Sequence, residues 1–397
     1  MANMEVSFCG IRVKNPIFAA SAEPTLNAAN MKRCLDAGVG GVVTKTVTDS
    51  PAMRELTTRS KWRFLDERHE VCRGKVPRGF SLYGRSGLAL ESPDAFGKET
   101  REAVEYARGK NAVVIGSIAS TEIEGWVRLA ASMSSAGVAA LELNFGCPHP
   151  KLMPGVRTGM NVGQDFDHAC EITRAVARAV NTPILIKVTP QVSDLVAFTG
   201  RLLDAGAAGV TLTNRFLGFV PDLETGKPLI YGPAGVGGPW VKPLTLRWVH
   251  EVRQAFQEKV FIAGSNGAYD WRDAVQFIMT GAHIVEMCSA VMVHGYAWLG
   301  KQVRGLGEFM GAKGFRSVEA MRGIASDSAM AYADMPREGA RVDADLCTSC
   351  GRCLDVCFYG AMNRDAEVLR VDAAKCIGCG GCYSVCPAGA IEIDTIP

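Results

Sequence analysis

Leu203-Asp204-Ala205-Gly206-Ala207-Ala208-Gly209-Val210-Thr211 decides the fold, because the chain repeats its plan. LDAGVGGVV (35–43), SSAGVAALE (134–142) and MTGAHIVE (279–286) follow the same order of helix end, glycine and buried strand. Glycine at that point supplies the left-handed backbone that closes a helix and turns the chain into the next strand. Eight short apolar runs fit the strand half of the unit: PIFAA (16–20), GGVVTKT (40–46), VVIGSI (113–118), AALELN (139–144), ILIKV (184–188), GVTLT (209–213), VFIAG (260–264) and HIVEM (283–287). They are β-branched and lack polar alternation, as in parallel strands buried on both faces. Helical periodicity fills the gaps, with a capping box predicted at Thr121 and Glu124 and an N-cap at Asp270. Eight strand–helix units predict an α/β fold, a (β/α)8 TIM barrel. A doubly wound open sheet is the alternative, and no ligand-crevice motif supports it.

The 397 residues are 48% apolar and 21% charged, with a formal charge of +2, which excludes disordered and collagen-like chains. Near-neutral charge argues against a nucleic-acid partner. No apolar run approaches the ~18 residues of a membrane-spanning helix. The start, MANMEVSFCG, shows no apolar export signal, so a cytoplasmic location is expected. Residues 5–14 read as a hairpin. Long excursions follow the second, fourth and sixth strands (47–90, 145–165, 214–241), on the face where barrels build active sites. Residues 1–300 are expected to form the barrel, 301–340 a helical linker, and 341–397 a small second domain. Charge marks the change: the last 57 residues carry five Lys/Arg against eight Asp/Glu, a balance of −3 against +5 before them.

Eight of the 14 cysteines fall in that last domain. Cys347, Cys350, Cys353 and Cys357 form a C-x2-C-x2-C-x3-C run, and Cys376, Cys379, Cys382 and Cys386 repeat it. Two such runs are the signature of a two-[4Fe–4S] ferredoxin-like domain, in which the fourth cysteine of each run serves the other cluster. One cluster then takes Cys347, Cys350, Cys353 and Cys386; the other takes Cys376, Cys379, Cys382 and Cys357. Zinc is the alternative for thiolate ligands, but it has no use for the third cysteine of each run. Phe358 stands where proline normally follows the first run.

Single electrons delivered to a barrel need a converter to two-electron chemistry, and flavin is one. Gly235 to Gly238, Gly264 to Gly267, and Cys288-Ser289-Ala290 flank the seventh and eighth strands, where barrels bind phosphate. Lys45 and Lys187 interrupt buried strands, which is costly without a partner. They face either a flavin or Glu142 in a salt bridge. Asn144 offers a donor and an acceptor to a planar ring. Cys147 at the barrel mouth reads as a proton donor or as a small apolar residue, with His149 a rival acid.

At these residues the barrel resembles the dihydroorotate dehydrogenase / dihydropyrimidine dehydrogenase family of FMN enzymes. The matching segments are Ala20-Ser21, Thr44-Lys45-Thr46, Glu142 to His149, Lys187 to Pro190, Thr211 to Asn214, Gly237-Gly238, Gly264 to Gly267 and Cys288-Ser289-Ala290. With the cysteine-rich tail, the resemblance covers nearly the whole chain. It implies FMN held by Ala20, Ser21, Lys45, Thr46, Lys187, Thr213, Gly238, Gly267 and Ser289. It implies Cys147 as general acid/base opposite flavin N5, and Asn144 and Asn214 as substrate contacts. Two positions depart from the family: Ala89 in place of an asparagine, and Arg215 after Asn214. Arg215 suggests a substrate carboxylate, or else it points to solvent.

The function expected is an FMN and iron–sulfur oxidoreductase that reduces or forms a polarised C=C bond, as on uracil or thymine. The alternatives are the same chemistry on a carboxylate-bearing ring or enoyl substrate, and an electron-transfer subunit with an inert barrel. No strand–GxGxxG–helix unit is found, so electrons are expected from an FAD/NAD(P)H subunit or a ferredoxin. Self-association is a further expectation.

Overall fold

The computed structural model describes residues 2–152, 155–365 and 368–395. The eight apolar runs form the barrel strands β1 (Ile17–Ala19), β2 (Gly41–Val43), β3 (Val113–Ala119), β4 (Ala140–Phe145), β5 (Ile184–Val188), β6 (Gly209–Leu212), β7 (Phe261–Ser265) and β8 (Ile284–Met287). All pair in parallel in chain order, and β8–β1 and β2–β3 contacts close the ring. Between them lie α1 (Ala28–Asp36), α2 (Pro93–Arg108), α3 (Ile123–Ser135), α4 (Phe166–Ala179), α5 (Leu195–Asp204), α6 (Lys242–Phe256), α7 (Trp271–Thr280) and α8 (Ala297–Ala312). One apolar core runs between the strand ring and these helices.

The repeated glycines do what their position demands. Gly38, Gly137, Gly206 and Gly281 all have positive φ, between +89° and +128°. Asp270 caps α7, and Asp273 completes a reciprocal capping box with it. The capping box predicted at Thr121 and Glu124 does not form. Glu122 occupies the cap position of α3 without a side-chain bond, and its amide donates to Ser120 Oγ at 3.4 Å.

The chain divides into two compact units, Met1–Ser328 and Ala329–Pro397. The stretch 301–340, expected as a linker, is therefore divided between them. Residues 301–312 continue α8, which packs on α7 with the Trp271 and Phe309 rings 5.7 Å apart. An added Cβ at Gly305 would meet the Trp271 ring at 2.2 Å, so that glycine permits the close crossing. Residues 6–13 form the antiparallel hairpin.

The long excursions after β2 and β6 meet. Strands Lys61–Leu65, Ser81–Arg85, Ala234–Gly237 and Phe216–Gly218 join into one antiparallel sheet of four. In the second unit, Glu338–Val342 pairs with Ile391–Thr395 and Met362–Asp365 with Val368–Val371. Its small core includes Cys353, Met362, Leu369 and Ile391.

Gly38 tests the repeat most cleanly, since an added Cβ there meets nothing within 4 Å and only its backbone (φ +94°) resists substitution. Gly38→Ala is expected to destabilise the barrel unit by about 1 kcal/mol, read as a lowered urea midpoint. An unchanged midpoint would contradict the left-handed cap.

Candidate active site

The C-terminal ends of the barrel strands surround a pocket that is open on one side. It brings together the expected cofactor and substrate contacts and the candidate acid: Ala20, Ser21, Lys45, Thr46, Asn144, Cys147, Lys187, Thr213, Asn214, Arg215, Gly238, Gly267 and Ser289. Glu23, Ser86, Asn266, Glu286 and Cys288 also line it.

The two buried lysines have different partners. Lys45 Nζ lies 3.0 Å from Glu23, just beyond β1, and not against Glu142. Lys187 Nζ lies 2.7 Å from Glu286 and 3.5 Å from Glu142. Burial works against the Lys187 ammonium, but the two carboxyls overcome it and hold its pKa above the usual lysine value. Burial, then the neighbouring Glu142, raises Glu286 to about 8. Glu23 and Glu286 escaped the sequence reading. Glu286 was marked by the same signal as the lysines, a charge inside an apolar run.

From this floor a hydrogen-bonded column rises to the mouth. Ser117 Oγ donates to Glu142 and meets Thr46 Oγ1 at 2.9 Å. Asn144 Nδ2 donates to Thr46 Oγ1 at 3.1 Å. Asn144 Oδ1 accepts from Asn214 Nδ2 and from the Cys147 amide, both at 3.1 Å. The two asparagines thus hold each other and the turn that carries Cys147.

His149 Nε2 lies 3.1 Å from the Gly84 carbonyl. A carbonyl only accepts, so Nε2 carries the ring proton and Nδ1 is the free acceptor. The Cys147 thiol, 3.7 Å from Nδ1, is then the donor. Burial, then Arg215, pushes His149 down to about 3, so it is neutral at physiological pH. Burial raises Cys147 above the usual thiol value, and the His149 amide and the Arg215 and Lys45 charges offset this only in part. Cys147 is therefore a protonated thiol. Behind it, Gly159 (φ +53°) lets the loop return: a Cβ there would meet the Cys147 carbonyl at 2.6 Å.

Arg215 does not point to solvent. It donates to the Gly84 and Gly235 carbonyls at 3.2 and 3.4 Å and to Ser86 Oγ at 3.4 Å. Added Cβ atoms at Gly235 and Gly237 would meet its side chain at 2.9 and 3.0 Å. Those glycines, expected at a phosphate, cradle Arg215 instead. Ala89 is fully buried in the core and bonds Thr46 through its backbone; it does not face the pocket.

The pocket fits a flavin on its own chemistry. Thr213 Oγ1 and Glu286 Oε1 are buried without a hydrogen-bond partner in a cavity that both line. Gly238 (φ +142°) and Gly267 (φ +126°) leave room where a Cβ would strike the Phe80 carbonyl or the Lys242 backbone. Gly267 and Ser289 follow β7 and β8, where barrels receive phosphate.

In the second unit, Cys357, Cys376, Cys379 and Cys382 line one cavity. Among the described residues no three of the thiols converge as around a single metal ion. Backbone amides of Ala340, Met362 and Ala390 donate to Cys376, Cys357 and Cys386 Sγ, each at 3.3 Å. Such bonds stabilise thiolate charge. Phe358 is 92% exposed, and its amide donates to the Val356 carbonyl at 3.1 Å, a bond that proline lacks.

Residues 3–310 match the dihydroorotate dehydrogenase family, and residues 340–393 match a 4Fe-4S dicluster domain. The NAD-dependent dihydropyrimidine dehydrogenase subunit PreA of Escherichia coli (strain K12) is 29% identical over 371 residues, 90% of this chain and 86% of that protein. The catalytic subunit of dihydroorotate dehydrogenase B (NAD(+)) of Methanothermobacter thermautotrophicus is 32% identical over 328 residues, 82% of this chain and 99% of its own. Its counterpart in Pyrococcus abyssi is 29% identical over 324 residues, 81% and 99%. Among the described residues no helix is long and apolar enough to cross a membrane.

The raised thiol sets a measurable reactivity. Alkylation of Cys147 by iodoacetamide, followed by peptide mass spectrometry, is expected to keep accelerating between about pH 8 and 10. A plateau below pH 8 would show a thiolate that the structure does not support.

Proposed function

This chain belongs to the dihydroorotate dehydrogenase family and is an FMN and iron–sulfur oxidoreductase of the class acting on CH–CH bonds; from that premise we propose that it reduces, or in reverse forms, a polarised C=C bond in a small ring substrate, with Cys147 as the proton donor. The observation that carries this reading is the Cys147 thiol, half-buried at the pocket mouth with its proton directed toward neutral His149. An inert barrel has no use for that arrangement.

FMN, when bound, supplies hydride chemistry and exchanges single electrons with the clusters. Lys45, Lys187, Thr213 and Ser21 would hold its polar edges; Gly238, Gly267 and Ser289 would hold its phosphate side; Ala20 and Thr46 complete the wall. Asn144 and Asn214 would orient the substrate by hydrogen bonds. Cys147 would give a proton to one carbon as its neighbour receives hydride, and take it back in the reverse direction. His149 fixes the thiol's direction. One cluster is assigned to Cys347, Cys350, Cys353 and Cys386, the other to Cys376, Cys379, Cys382 and Cys357. Four ligands each leave no open site, so the clusters carry electrons only. Their source is assigned to a protein partner, a flavoprotein subunit or a ferredoxin.

Arg215 favours a second reading, in which the substrate bears a carboxylate. Its guanidinium lines the pocket and bonds only neutral acceptors, whereas Lys45 and Lys187 are paired with carboxyls. Uracil against orotate, one neutral and one anionic, separates the two readings.

Cys147→Ala is expected to slow reoxidation of the reduced flavin by its carbon acceptor by about 10²- to 10⁴-fold, with FMN and iron content unchanged. Rapid mixing under anaerobic conditions measures this. A wild-type rate in the variant would remove Cys147 from the chemistry.

A further inference from the structure

The pocket floor holds more acid than base. Lys45 and Glu23 balance one another at its edge. Lys187 faces two carboxyls, Glu142 and Glu286, both with fully buried side chains. Glu142 is well served: Ser117 and Thr211 donate to it at 3.4 and 3.0 Å, and Lys187 adds its charge. Glu286 has Lys187 on Oε2 and nothing on Oε1. The strands flanking it, β7 (FIAGS) and β1 (IFA), bring no titratable side chain. Cys288, two residues along, stays a neutral thiol, raised to about 11 chiefly by burial. Two ionised carboxylates against one ammonium would leave a net negative charge in a dry interior, which costs more than retaining a proton.

We propose that Glu286, beside Lys187 and Glu142, retains a proton at the floor of the FMN pocket, and that this proton gates the affinity of the pocket for the anionic cofactor. The inference rests on the flavin reading of the pocket and adds a role for residues that the proton transfer at Cys147 does not use. With the proton in place the Lys187–Glu142–Glu286 group is neutral. When it leaves to solvent, the floor becomes anionic and repels FMN. Glu286 titrates in its place on the alkaline side of neutrality, since burial and then Glu142 raise it to about 8. Lys187 stays charged throughout, because the same two carboxyls raise it. FMN then stabilises the protonated floor, so binding above that pH takes up a proton.

The test is FMN binding to the apoprotein between about pH 7 and 9.5, where the phosphate is already ionised. Fluorescence quenching gives the dissociation constant. Calorimetry in buffers of different ionisation enthalpy gives the protons taken up. The expected result is affinity that falls by about tenfold or more toward high pH, with uptake of up to about one proton. Glu286→Gln should bind FMN with a flat pH profile and no uptake, and Glu142→Gln should also flatten it by leaving Glu286 alone with Lys187. A merely structural role would shift affinity while keeping the wild-type slope. Should either variant fail to fold, infrared spectroscopy of the wild type decides, since a protonated carboxyl band should vanish over the same pH range. A flat wild-type profile, or variants that keep its slope, would overturn the proposal. Absence of FMN binding at every pH would instead overturn the flavin reading, and the proposal with it.

Discussion

Lys187 between Glu142 and Glu286 is the interaction on which the rest of the site depends. Three ionisable side chains inside a closed strand ring are tolerable only when they face one another, and the ring is what aims them inward. β4, β5 and β8 each contribute one of the three. Their mutual attraction overcomes the burial cost to the ammonium, and the group gives the barrel a charged floor. From that floor the bonds through Ser117, Thr46, Asn144 and Asn214 reach the mouth without a break. The cofactor pocket is the open side of this column.

The chemistry at the mouth depends on a second constraint, the meeting of two distant loops in one antiparallel sheet. Gly84 and Gly235 are paired across that sheet. The Gly84 carbonyl accepts from both His149 and Arg215, so one backbone atom sets the imidazole tautomer and anchors the only pocket cation without a carboxyl partner among the described residues. Glycine at Gly235 and Gly237 leaves the space that the Arg215 side chain fills. The proposed proton donor and the candidate specificity residue are therefore positioned by the same strand pair.

Much of this was legible in the sequence because its signals are local. A glycine after each helix, a lysine inside an apolar run and cysteines at fixed spacing each state their requirement within a few residues. Pairings across the fold were not legible. Lys45 chose Glu23 over Glu142 because Glu23 sits just beyond the adjacent β1, and sequence carries no such distance. The glycines at Gly235 and Gly237 looked like phosphate-loop residues until the second loop brought Arg215 over them. Ala89 turned into the core through tertiary contacts that no local pattern encodes.

In the proposed function, one chain passes electrons from iron–sulfur clusters through FMN to a carbon–carbon double bond. The most direct measurement of this is anaerobic titration of the fully reduced protein with uracil, thymine and orotate, following flavin absorbance and cluster EPR together. FMN and two clusters store about four electrons, so one of these acceptors should reoxidise both signals in step and be consumed at about two equivalents per chain. A flavin that stays reduced with all three, or clusters that reoxidise with no saturated product formed, would contradict the account.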